Sequence, residues 1–260
     1  MTRPCCLTIA GSDSGGNAGI QADLRTFHAH QLHGCSVLTA ITAQNPFAVS
    51  AIHLVPKEMV SAQLDAVLGT YDIRALKTGM LATAEIIETV AEKLRTVPHL
   101  LKVIDPVMVA TSGAQLLEPA AVEALKRDLL PLATCITPNL PEAEVLLGCK
   151  VTTLEEAVAA AETLHAMFQT SILIKGGHRE SRHMIDVFYN QQQGVVFFED
   201  ERIVDPCSTH GTGCTLAAAI VAGLTQGHSL TTAIRQAKRY VAHTIRTSYY
   251  VGERCGVLGF

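Results

Sequence analysis

The segment His210-Gly211-Thr212-Gly213-Cys214-Thr215 combines two glycines, two hydroxyls and a thiol directly before a run of helix-forming residues. Glycines let the backbone approach a ligand closely, and the first turn of a helix presents N–H groups that have no partner within the helix. Such a turn binds anions and suits the charge on a phosphoryl group during transfer. Because Cys214 lies in that first turn, we expect the pKa of its thiol to be lowered.

An ordinary glycine-rich turn, with Cys214 packed in the core, is the alternative interpretation of this segment. Three better-known motifs fail on spacing. The chain has no G-x-x-x-x-G-K-[ST] phosphate loop, and a dinucleotide fingerprint starting at Gly211 would lack its last glycine. No cysteine is followed by an arginine six positions later, which excludes the cysteine-phosphatase cradle. The segment therefore stays a candidate phosphate-binding turn of another type.

A second glycine-rich segment, Gly11-Ser12-Asp13-Ser14-Gly15-Gly16-Asn17-Ala18-Gly19, directly follows the first predicted strand and leads into a helix. Loops at the carboxyl ends of parallel strands are where α/β sheets bind their ligands. A plain connection would need only one glycine, so we interpret this loop as ligand-binding. Asp23, one turn into the helix, could face the loop or the solvent, and its position alone favours the solvent.

Three charged residues stand at or beyond the ends of other predicted strands. Lys175 ends a buried strand before two glycines, where it could meet a polyphosphate as a point charge or lie unpaired on the surface. Asp105 and Glu142 could be ligands of magnesium or of its water shell. Alternatively, Asp105 caps a turn and Glu142 is a first-turn helix charge. Their joint occurrence at strand ends favours a site.

Three further residues have types that suit an aromatic substrate carrying phosphate. The amide of Gln44 offers a donor and an acceptor, complementary to the edge of an aminopyrimidine or pyridine ring. Met80 could form a wall against such a ring through its polarizable sulfur, or it could be a core methionine. Lys238, on the last predicted helix, could reach towards phosphate or belong to a solvated face.

The elements that must position these residues alternate between strands and helices, which is the signature of a parallel α/β sheet. A hairpin, at Met184–Tyr189 and Val195–Glu199, predicts an antiparallel edge. Predicted strands are Cys5–Gly11, Cys35–Gln44, Arg74–Thr78, Leu101–Asp105, Cys135–Pro138 and Ser171–Lys175. Predicted helices are Ala18–His30, Lys57–Gly69, Thr83–Thr96, Glu118–Leu129, Pro141–Leu147, Thr153–Phe168, Gly213–Gln226 and Ser229–Ser248, with Thr152 or Thr153 as the cap of the alanine-rich helix.

The composition bounds the class of protein. With 260 residues, 48% of them hydrophobic, the chain is predicted to form one α/β domain over residues 1–260. The net charge of -4 argues against a nucleic-acid partner, which usually requires a basic stripe. No apolar run reaches the ~20 residues that a membrane span needs, and no C-x-x-C pair points to zinc. We therefore expect a cytoplasmic protein with reduced cysteines and no membrane partner.

Seven motifs occur in the order and at the spacing of one known family. From about residue 5 to residue 247, the sequence resembles the hydroxymethylpyrimidine/phosphomethylpyrimidine kinases of thiamine biosynthesis, within the ribokinase-like superfamily. The resemblance implies a three-layer α/β sandwich with a mostly parallel central sheet and an antiparallel hairpin edge. The motifs are Gly11-Ser12-Asp13 with Ala18-Gly19-Ile20-Gln21-Ala22-Asp23, Ala43-Gln44-Asn45, Lys77-Thr78-Gly79-Met80, Asp105-Pro106-Val107-Met108, Thr137-Pro138-Asn139-Leu140-Pro141-Glu142-Ala143, Lys175-Gly176-Gly177-His178 and His210-Gly211-Thr212-Gly213-Cys214-Thr215.

The resemblance implies that ATP, with Mg²⁺, phosphorylates 4-amino-5-hydroxymethyl-2-methylpyrimidine and then its monophosphate. Cys214 would replace the aspartate base of the wider superfamily. The implied catalytic residues are Cys214, Gly211, Thr212, Gly213, Lys175, Lys238 and, at the acceptor end, Asp23. The implied pyrimidine contacts are Gly11, Ala18, Gln44, Met80 and Val107. The implied ATP contacts are Asn139, Lys175, Thr209, Gly211 and Gly213, and the implied metal ligands are Asp105 and Glu142.

The sequence departs from the family pattern in two places. Asn17 stands where a glycine is usual, and Pro46-Phe47-Ala48-Val49 replaces a more typical Thr-x-Gly-Val near Gln44. A pyridoxal kinase on the same fold is the nearest alternative, because pyridoxal also presents a hydroxymethyl group on a six-membered nitrogen ring. A non-catalytic pyrimidine sensor is a second alternative. We also expect a homodimer.

Overall fold

The structure is a computed structural model that describes residues 3–110, 113, 115–176, 183–253 and 255–260. Its strands are β1 (Cys5–Asp13), β2 (His33–Asn45), β3 (Ala48–Leu54), β4 (Ile73–Thr78), β5 (Leu101–Ile104), β6 (Cys135–Ile136), β7 (Ser171–Ile174), β8 (His183–Asn190), β9 (Gly194–Glu201), β10 (Tyr249–Val251) and β11 (Cys255–Val257). Its α-helices are α1 (Gly19–Ala29), α2 (Lys57–Leu68), α3 (Ala84–Arg95), α4 (Ala121–Ala124), α5 (Leu140–Leu147), α6 (Leu154–Phe168), α7 (Thr212–Thr225) and α8 (Leu230–Arg246).

One large sheet runs through the molecule in the order β3-β2-β1-β4-β5-β6-β7-β8-β9. The strands from β2 to β7 in this order pair in parallel. Both edges are antiparallel, since β3 pairs with β2 on one side and β8 and β9 extend β7 on the other. The predicted fold class, a mostly parallel sheet with an antiparallel hairpin edge, is confirmed.

Helices cover both faces of the sheet and enclose two apolar cores. Helices α2 to α6 pack on one face, where Leu76 and Ile104 lie in the core. Helices α1, α7 and α8 pack on the other, where Ala75 and Val103 lie in the core. Neighbouring residues of one strand thus point to opposite cores, as pleating requires. The result is the three-layer arrangement that the resemblance implies.

Helix α7 lies inside its layer rather than at the surface. Every residue from Thr215 to Thr225 is buried, because α7 packs between α1, α8 and the sheet. Its sequence is correspondingly apolar or small on all sides, as expected of a fully buried helix. This burial fixes the position of the first turn of α7.

The predicted elements agree with the observed ones to within a few residues, apart from the following differences. Strand β3, at the sheet edge, and strands β10 and β11 were absent from the predicted elements. The predicted helix Glu118–Leu129 is a short α-helix, Ala121–Ala124, that continues as a π-helical turn over Leu125–Leu129. The cap of α6 is Thr153, whose side chain accepts the Glu156 N–H in a reciprocal capping box.

The eight cysteines are all free. Within the ranges given above, no helix combines the length and the apolar character required to cross a bilayer.

Candidate active site

The carboxyl ends of the parallel strands form the edge where the chemistry-bearing segments meet. The chain order reverses between β1 and β4, since β2 lies on the far side of β1. Open α/β sheets bind ligands at such a switch point. The glycine loop (residues 11–19) leaves β1 here, and Gly79, just beyond β4, donates its N–H to Ile9 at 2.9 Å.

The α7 turn (residues 208–213) packs directly on the glycine loop. Gly211 is the N-cap of α7 and has φ of 88°, a conformation that favours glycine. A Cβ at Gly211 would collide with the carbonyl oxygen of Asn17. The two loops can therefore touch only because this residue is glycine. The hydroxyl of Thr212 donates back to the carbonyl of the exposed Thr209 at 3.0 Å.

The first turn of α7 faces a cluster of charged side chains. A Cβ built on Gly213 would lie 3.8 Å from Lys175 Nζ and 4.0 Å from Asp105 Oδ2. These residues come from the ends of three elements that are distant in sequence. The positive end of a helix and a lysine thus converge on one point beside a carboxylate, which is an arrangement suited to a phosphate and its counter-ion.

We call Asp105, Glu142 and Lys175 the open cluster. Lys175 Nζ lies 2.8 Å from Asp105 Oδ1 and 3.8 Å from Glu142 Oε2. Its side chain is 15% exposed, against 2% for Asp105. Thr137 donates to the same Asp105 oxygen at 3.0 Å. Burial would lower the pKa of Lys175, but the charges of Asp105 and Glu142 outweigh it and raise the pKa.

Glu142 has a structural role as well as a charged neighbour. Its side chain accepts the N–H of Asn139 at 2.8 Å, and the Asn139 side chain accepts the N–H of Glu142 at 2.8 Å. This reciprocal capping box begins α5. Burial and the charge of Asp105 raise the pKa of Glu142 to about 7, although Lys175 acts in the opposite direction. Glu142 is therefore a first-turn residue of α5, and the same side chain lies beside the charged groups of the open cluster.

We call Asp23 and Lys77 the closed pair. Lys77 Nζ lies 3.0 Å from Asp23 Oδ2, and the side chains of both residues are fully buried. Thr8 donates to Asp23 at 2.6 Å. Burial works against the ammonium, but the charge of Asp23 raises the pKa of Lys77 well above its usual range. The prediction that Asp23 faces the solvent is wrong, because α1 packs against β1 and α7 and Lys77 of β4 meets the carboxylate.

The pKa of the Cys214 thiol shifts in the direction opposite to the predicted one. The residue is partly exposed, yet protein atoms surround its thiol. Loss of water raises the pKa of the thiol, and the charges of Asp23 and Asp105 act in the same direction. Lys77 and the N–H of Gly19 oppose this shift without overcoming it. The predicted lowering of the Cys214 pKa is therefore wrong, and the thiol form is favoured.

A carboxylate organises the glycine loop from within. Asp13 accepts the N–H groups of Gly15, Asn17 and Ala18 at 2.8, 3.0 and 2.9 Å. Its Oδ2 lies 3.8 Å from Nε2 of His210, in the α7 turn. Burial works against the charge, but this imidazole and the N–H groups lower the pKa of Asp13. A single charged side chain thus fixes the loop and faces the neighbouring turn.

Gln44 lies at the rim of the glycine loop. Both its backbone N–H and its carbonyl contact the hydroxyl of Ser14 at 2.8 Å. Its side-chain oxygen accepts from Thr42 at 3.0 Å, which leaves the amide NH₂ as the donor that a ring nitrogen could use. The segment Pro46-Phe47-Ala48-Val49 forms the β2–β3 turn and the start of β3, and Phe47 is 65% exposed.

Met80 lies against Gly11, at the start of the glycine loop. A Cβ on Gly11 would be 3.1 Å from the Met80 sulfur, and Met80 is 7% exposed. Thr39 donates to the Met80 carbonyl at 2.6 Å. Val107 is partly exposed beyond β5. Met80 is therefore a core residue that borders the glycine loop, and its contact with a substrate ring stays a prediction.

Lys238 does not join the open cluster. Its ammonium lies 2.6 Å from Asp186 and 2.9 Å from Asp200, on β8 and β9. Gly177 and His178, of the motif that follows Lys175, lie outside the described residues.

Three residues of the site were not assigned a role from the sequence alone. Asp13 and Lys77 stood inside quoted motifs, and Asp186 stood in the predicted hairpin. A lysine in a buried strand, as at Lys77, is a signal that could have revealed the closed pair, because a buried charge requires a partner. Nothing in the local sequence identifies that partner.

A family model described as phosphomethylpyrimidine kinase matches residues 13–259. The chain belongs to this kinase family. It is 45% identical over 260 residues to the hydroxymethylpyrimidine/phosphomethylpyrimidine kinase of Synechococcus elongatus, covering all of this chain and 98% of that protein. It is also 46% identical to a thiamine biosynthesis bifunctional protein of Geobacter sulfurreducens, covering 98% of this chain and 51% of that protein. The chain thus spans about half the length of the bifunctional relative.

Solved structures show the same fold. An ADP complex of Bacillus subtilis pyridoxal kinase has a TM-score of 0.90 and 37% identity, covering 99% of this chain and 97% of that one. A phosphomethylpyrimidine kinase of Clostridium difficile 630 has a TM-score of 0.81 and 38% identity, covering 92% of this chain and 98% of that one. The predicted family, fold and kinase class are confirmed. The roles assigned to individual site residues stay predictions.

Proposed function

We propose that this kinase transfers the γ-phosphoryl group of ATP to 4-amino-5-hydroxymethyl-2-methylpyrimidine, and then transfers a second phosphoryl group to the monophosphate. The observation that carries this proposal is the convergence of Gly213, Lys175 and Asp105 at the first turn of α7, next to the glycine loop. Family membership over residues 13–259 gives that convergence its chemical meaning.

The first transfer exchanges one P–O bond for another. The hydroxymethyl oxygen attacks the γ-phosphorus, the bond from that phosphorus to the bridging oxygen breaks, and ADP leaves. Catalysis in such reactions comes mainly from positioning and charge stabilisation. The N–H groups of Thr212, Gly213 and Cys214 would face the transferred group, while Lys175, and Lys238 from the neighbouring helix, would face the phosphates.

The hydroxyl proton must leave as the new bond forms. Cys214 is the family's expected acceptor, but its raised thiol pKa makes the thiolate scarce at neutral pH. The second acceptor, a phosphate monoester, is already largely ionised at neutral pH and requires no base. We therefore infer that Cys214 mainly shapes the anion site and contributes less as a base. The closed pair lies beneath it, so Asp23 would act through electrostatics and not by touching the acceptor.

Magnesium fits the open cluster. Mg²⁺ keeps several waters and usually binds one or two carboxylates together with substrate phosphates. Asp105 Oδ2 faces the first turn of α7, and Glu142 lies beside it. No group of three or more His, Cys, Asp and Glu residues able to hold a metal occurs in the described ranges, so phosphate oxygens of ATP would have to supply further ligands. When bound, Mg²⁺ would neutralise phosphate charge, with Asp105 and Glu142 holding its water shell.

A pyridoxal kinase activity is the second candidate, because several similar structures are pyridoxal kinases. The identity of 45% to the Synechococcus kinase, against 37% to the Bacillus pyridoxal kinase, favours the pyrimidine. The NH₂ of Gln44, which meets no acceptor among the described residues, could donate to a ring nitrogen of either substrate.

The test is a competition between the pyrimidine and pyridoxal with ATP, followed by phosphorus NMR. We expect the pyrimidine monophosphate first and then the diphosphate, with a lower kcat/KM for pyridoxal. A faster reaction with pyridoxal, or a reaction that stops at the monophosphate, would contradict the proposal. The proposal keeps the predicted contacts of ATP with Asn139 and Thr209, and those of the pyrimidine with Gly11, Ala18, Met80 and Val107. It also includes the predicted cytoplasmic location, the single domain and the homodimer.

A further inference from the structure

Asp186, on β8, is a buried carboxylate that belongs to none of the motifs described above. It is 6% exposed. Its Oδ1 accepts the backbone N–H of Gly176 at 2.7 Å, and its Oδ2 accepts from the ammonium of Lys238 at 2.6 Å. One side chain therefore connects the segment that carries Lys175 with the helix that carries Lys238.

The backbone beyond Lys175 is fixed by this contact. Lys175 donates its own N–H to Pro138 at 2.8 Å, at the edge of the sheet. The next residue, Gly176, lies so close to β8 that a Cβ there would collide with the carbonyl oxygen of Ile185. The N–H of Gly176 then meets Asp186. Both peptide N–H groups that flank the Lys175 α-carbon are thus held, which limits where its ammonium can lie.

The ammonium of Lys238 is fixed by the same carboxylate. Its side chain is 10% exposed, and a second carboxylate, Asp200, lies 2.9 Å away. Burial would lower the pKa of Lys238, but the charges of Asp186 and Asp200 outweigh it and raise the pKa. The lysine therefore stays charged at neutral pH beside the segment that leads to the open cluster. Long lysine side chains otherwise lose considerable rotamer entropy on being ordered, and the carboxylates supply that order before any ligand binds.

We propose that Asp186 is a positioning residue for nucleotide binding, holding Lys175 through the Gly176 backbone and Lys238 through its ammonium. The inference rests on the proposed function, in which both lysines face the phosphates of ATP. Asp186 itself touches no substrate. A purely structural Asp186 would stabilise the fold without affecting one substrate more than the other, and this difference can be measured.

The first variant is Asp186→Asn. Asparagine keeps one oxygen that can accept the Gly176 N–H, but it places an NH₂ group against Lys238. We expect the KM for ATP to rise roughly tenfold and kcat to fall by a similar factor, because misplacement by about 1 Å can cost up to 10²-fold. The KM for the pyrimidine should change less than twofold. Binding of ADP alone, measured by calorimetry, should weaken to a similar extent.

The matched control is Asp65→Asn. Asp65 forms an exposed pair with Lys93 at 2.6 Å, so this variant removes an equally short acid–lysine contact away from the site. Its KM for ATP should match that of the native protein. Asp186→Glu tests geometry, since it keeps the charge and lengthens the side chain by one methylene. A position-dependent role predicts that glutamate does not restore the native KM for ATP.

Several outcomes would overturn the inference. One is a KM for ATP and an ADP affinity within twofold of native in Asp186→Asn, and another is an equal rise in both KM values. If Asp186→Asn does not fold, Lys238→Gln and Asp186→Glu decide the matter, because each should weaken ADP binding while the protein stays folded by circular dichroism. The ADP-binding test does not depend on the proposed function, because ADP binds without a phosphoryl acceptor. A native protein that binds ADP but phosphorylates no pyrimidine would overturn the proposed function and still leave the Asp186 test valid.

Discussion

The closed pair and the open cluster use the same chemical groups for different purposes. In the closed pair, Lys77 and Asp23 have fully buried side chains at 3.0 Å. In the open cluster, Lys175 lies 2.8 Å from Asp105 but keeps 15% of its side chain exposed. The distance between the charged atoms does not separate the two sites, whereas exposure of the lysine side chain to solvent does.

The difference indicates whether each ion pair mainly stabilises the fold or mainly serves the reaction. A fully buried charge requires its partner in every state of the folded protein, so removing one partner is costly. A lysine that opens onto an anion site can exchange a carboxylate for a phosphate when the ligand binds. The closed pair should therefore act mainly on stability, and the open cluster mainly on catalysis. Lys77→Met and Lys175→Met test this division directly. Glu142→Gln and Cys214→Ala then test the electrostatics of the groups beside them, and the four variants follow in order of expected effect.

Lys77→Met should lower the free energy of unfolding by about 3–5 kcal/mol, because it leaves the Asp23 carboxylate buried without its partner. Urea unfolding at neutral pH measures the loss. The double variant Asp23→Asn/Lys77→Met removes both charges and should be more stable than Lys77→Met alone. Lys93→Met, in the exposed pair with Asp65, should cost less than ~1 kcal/mol. An equal loss in Lys77→Met and Lys93→Met would remove the distinction between buried and open pairs.

Lys175→Met should lower kcat by roughly 10²–10³-fold, the effect of losing one donor to developing charge in a preorganised site. That loss equals about 3–4 kcal/mol of transition-state stabilisation. Its free energy of unfolding should fall less than half as far as that of Lys77→Met. Lys175→Arg keeps the charge and should recover part of kcat. Large destabilisation with near-native kcat would reverse the assignment of the two sites.

Glu142→Gln should change how stability depends on pH. Folding raises the pKa of Glu142 from 4.5 to about 7, so the folded protein binds more protons than the unfolded chain between these values. This contribution is fully present below pH 4.5 and is lost as pH rises through about 7. At about 1.4 kcal/mol per pKa unit, the difference is worth roughly 3 kcal/mol. The stability of Glu142→Gln relative to native should therefore increase across this window.

Urea unfolding at pH 4.5, 6 and 8, without nucleotide or magnesium, measures the Glu142 effect. Glutamine at this position preserves the capping box, so the start of α5 should be unaffected. Glu156→Gln, at the matching position of the α6 capping box, controls for loss of a carboxylate from such a box. A constant stability difference between Glu142→Gln and native at all three pH values would contradict the expected linkage.

Cys214→Ala should lower kcat by less than about 100-fold, below most of the range associated with a general base. The raised thiol pKa leaves little thiolate to accept a proton. The loss should be equal for the hydroxymethyl acceptor and the phosphate acceptor, and separate assays of the two steps with ATP measure it. A loss confined to the hydroxymethyl acceptor would instead establish Cys214 as the base.

The sequence by itself determined the backbone of the site. Alternating strands and helices predict the parallel sheet, and the ends of parallel strands must meet at one edge. Glycines mark the places where two backbones touch, as at Gly211, whose positive φ and contact with Asn17 exclude a side chain. These properties are local, since they depend on residue types within a few positions of one another. Hence the glycine loop, the α7 turn and the family resemblance were recognisable without coordinates.

The tertiary structure determined how the charged residues pair and how deeply they are buried. Asp23 and Lys77 are 54 positions apart, and Lys175 and Asp105 are 70 apart, so no local pattern identifies their pairing. The burial of Asp23, the ion pairs of Lys238 and the raised pKa of Cys214 all depend on which distant side chains surround each group. Electrostatic energies vary with distance and with access of water, and both quantities exist only after the sheet has brought its strand ends together.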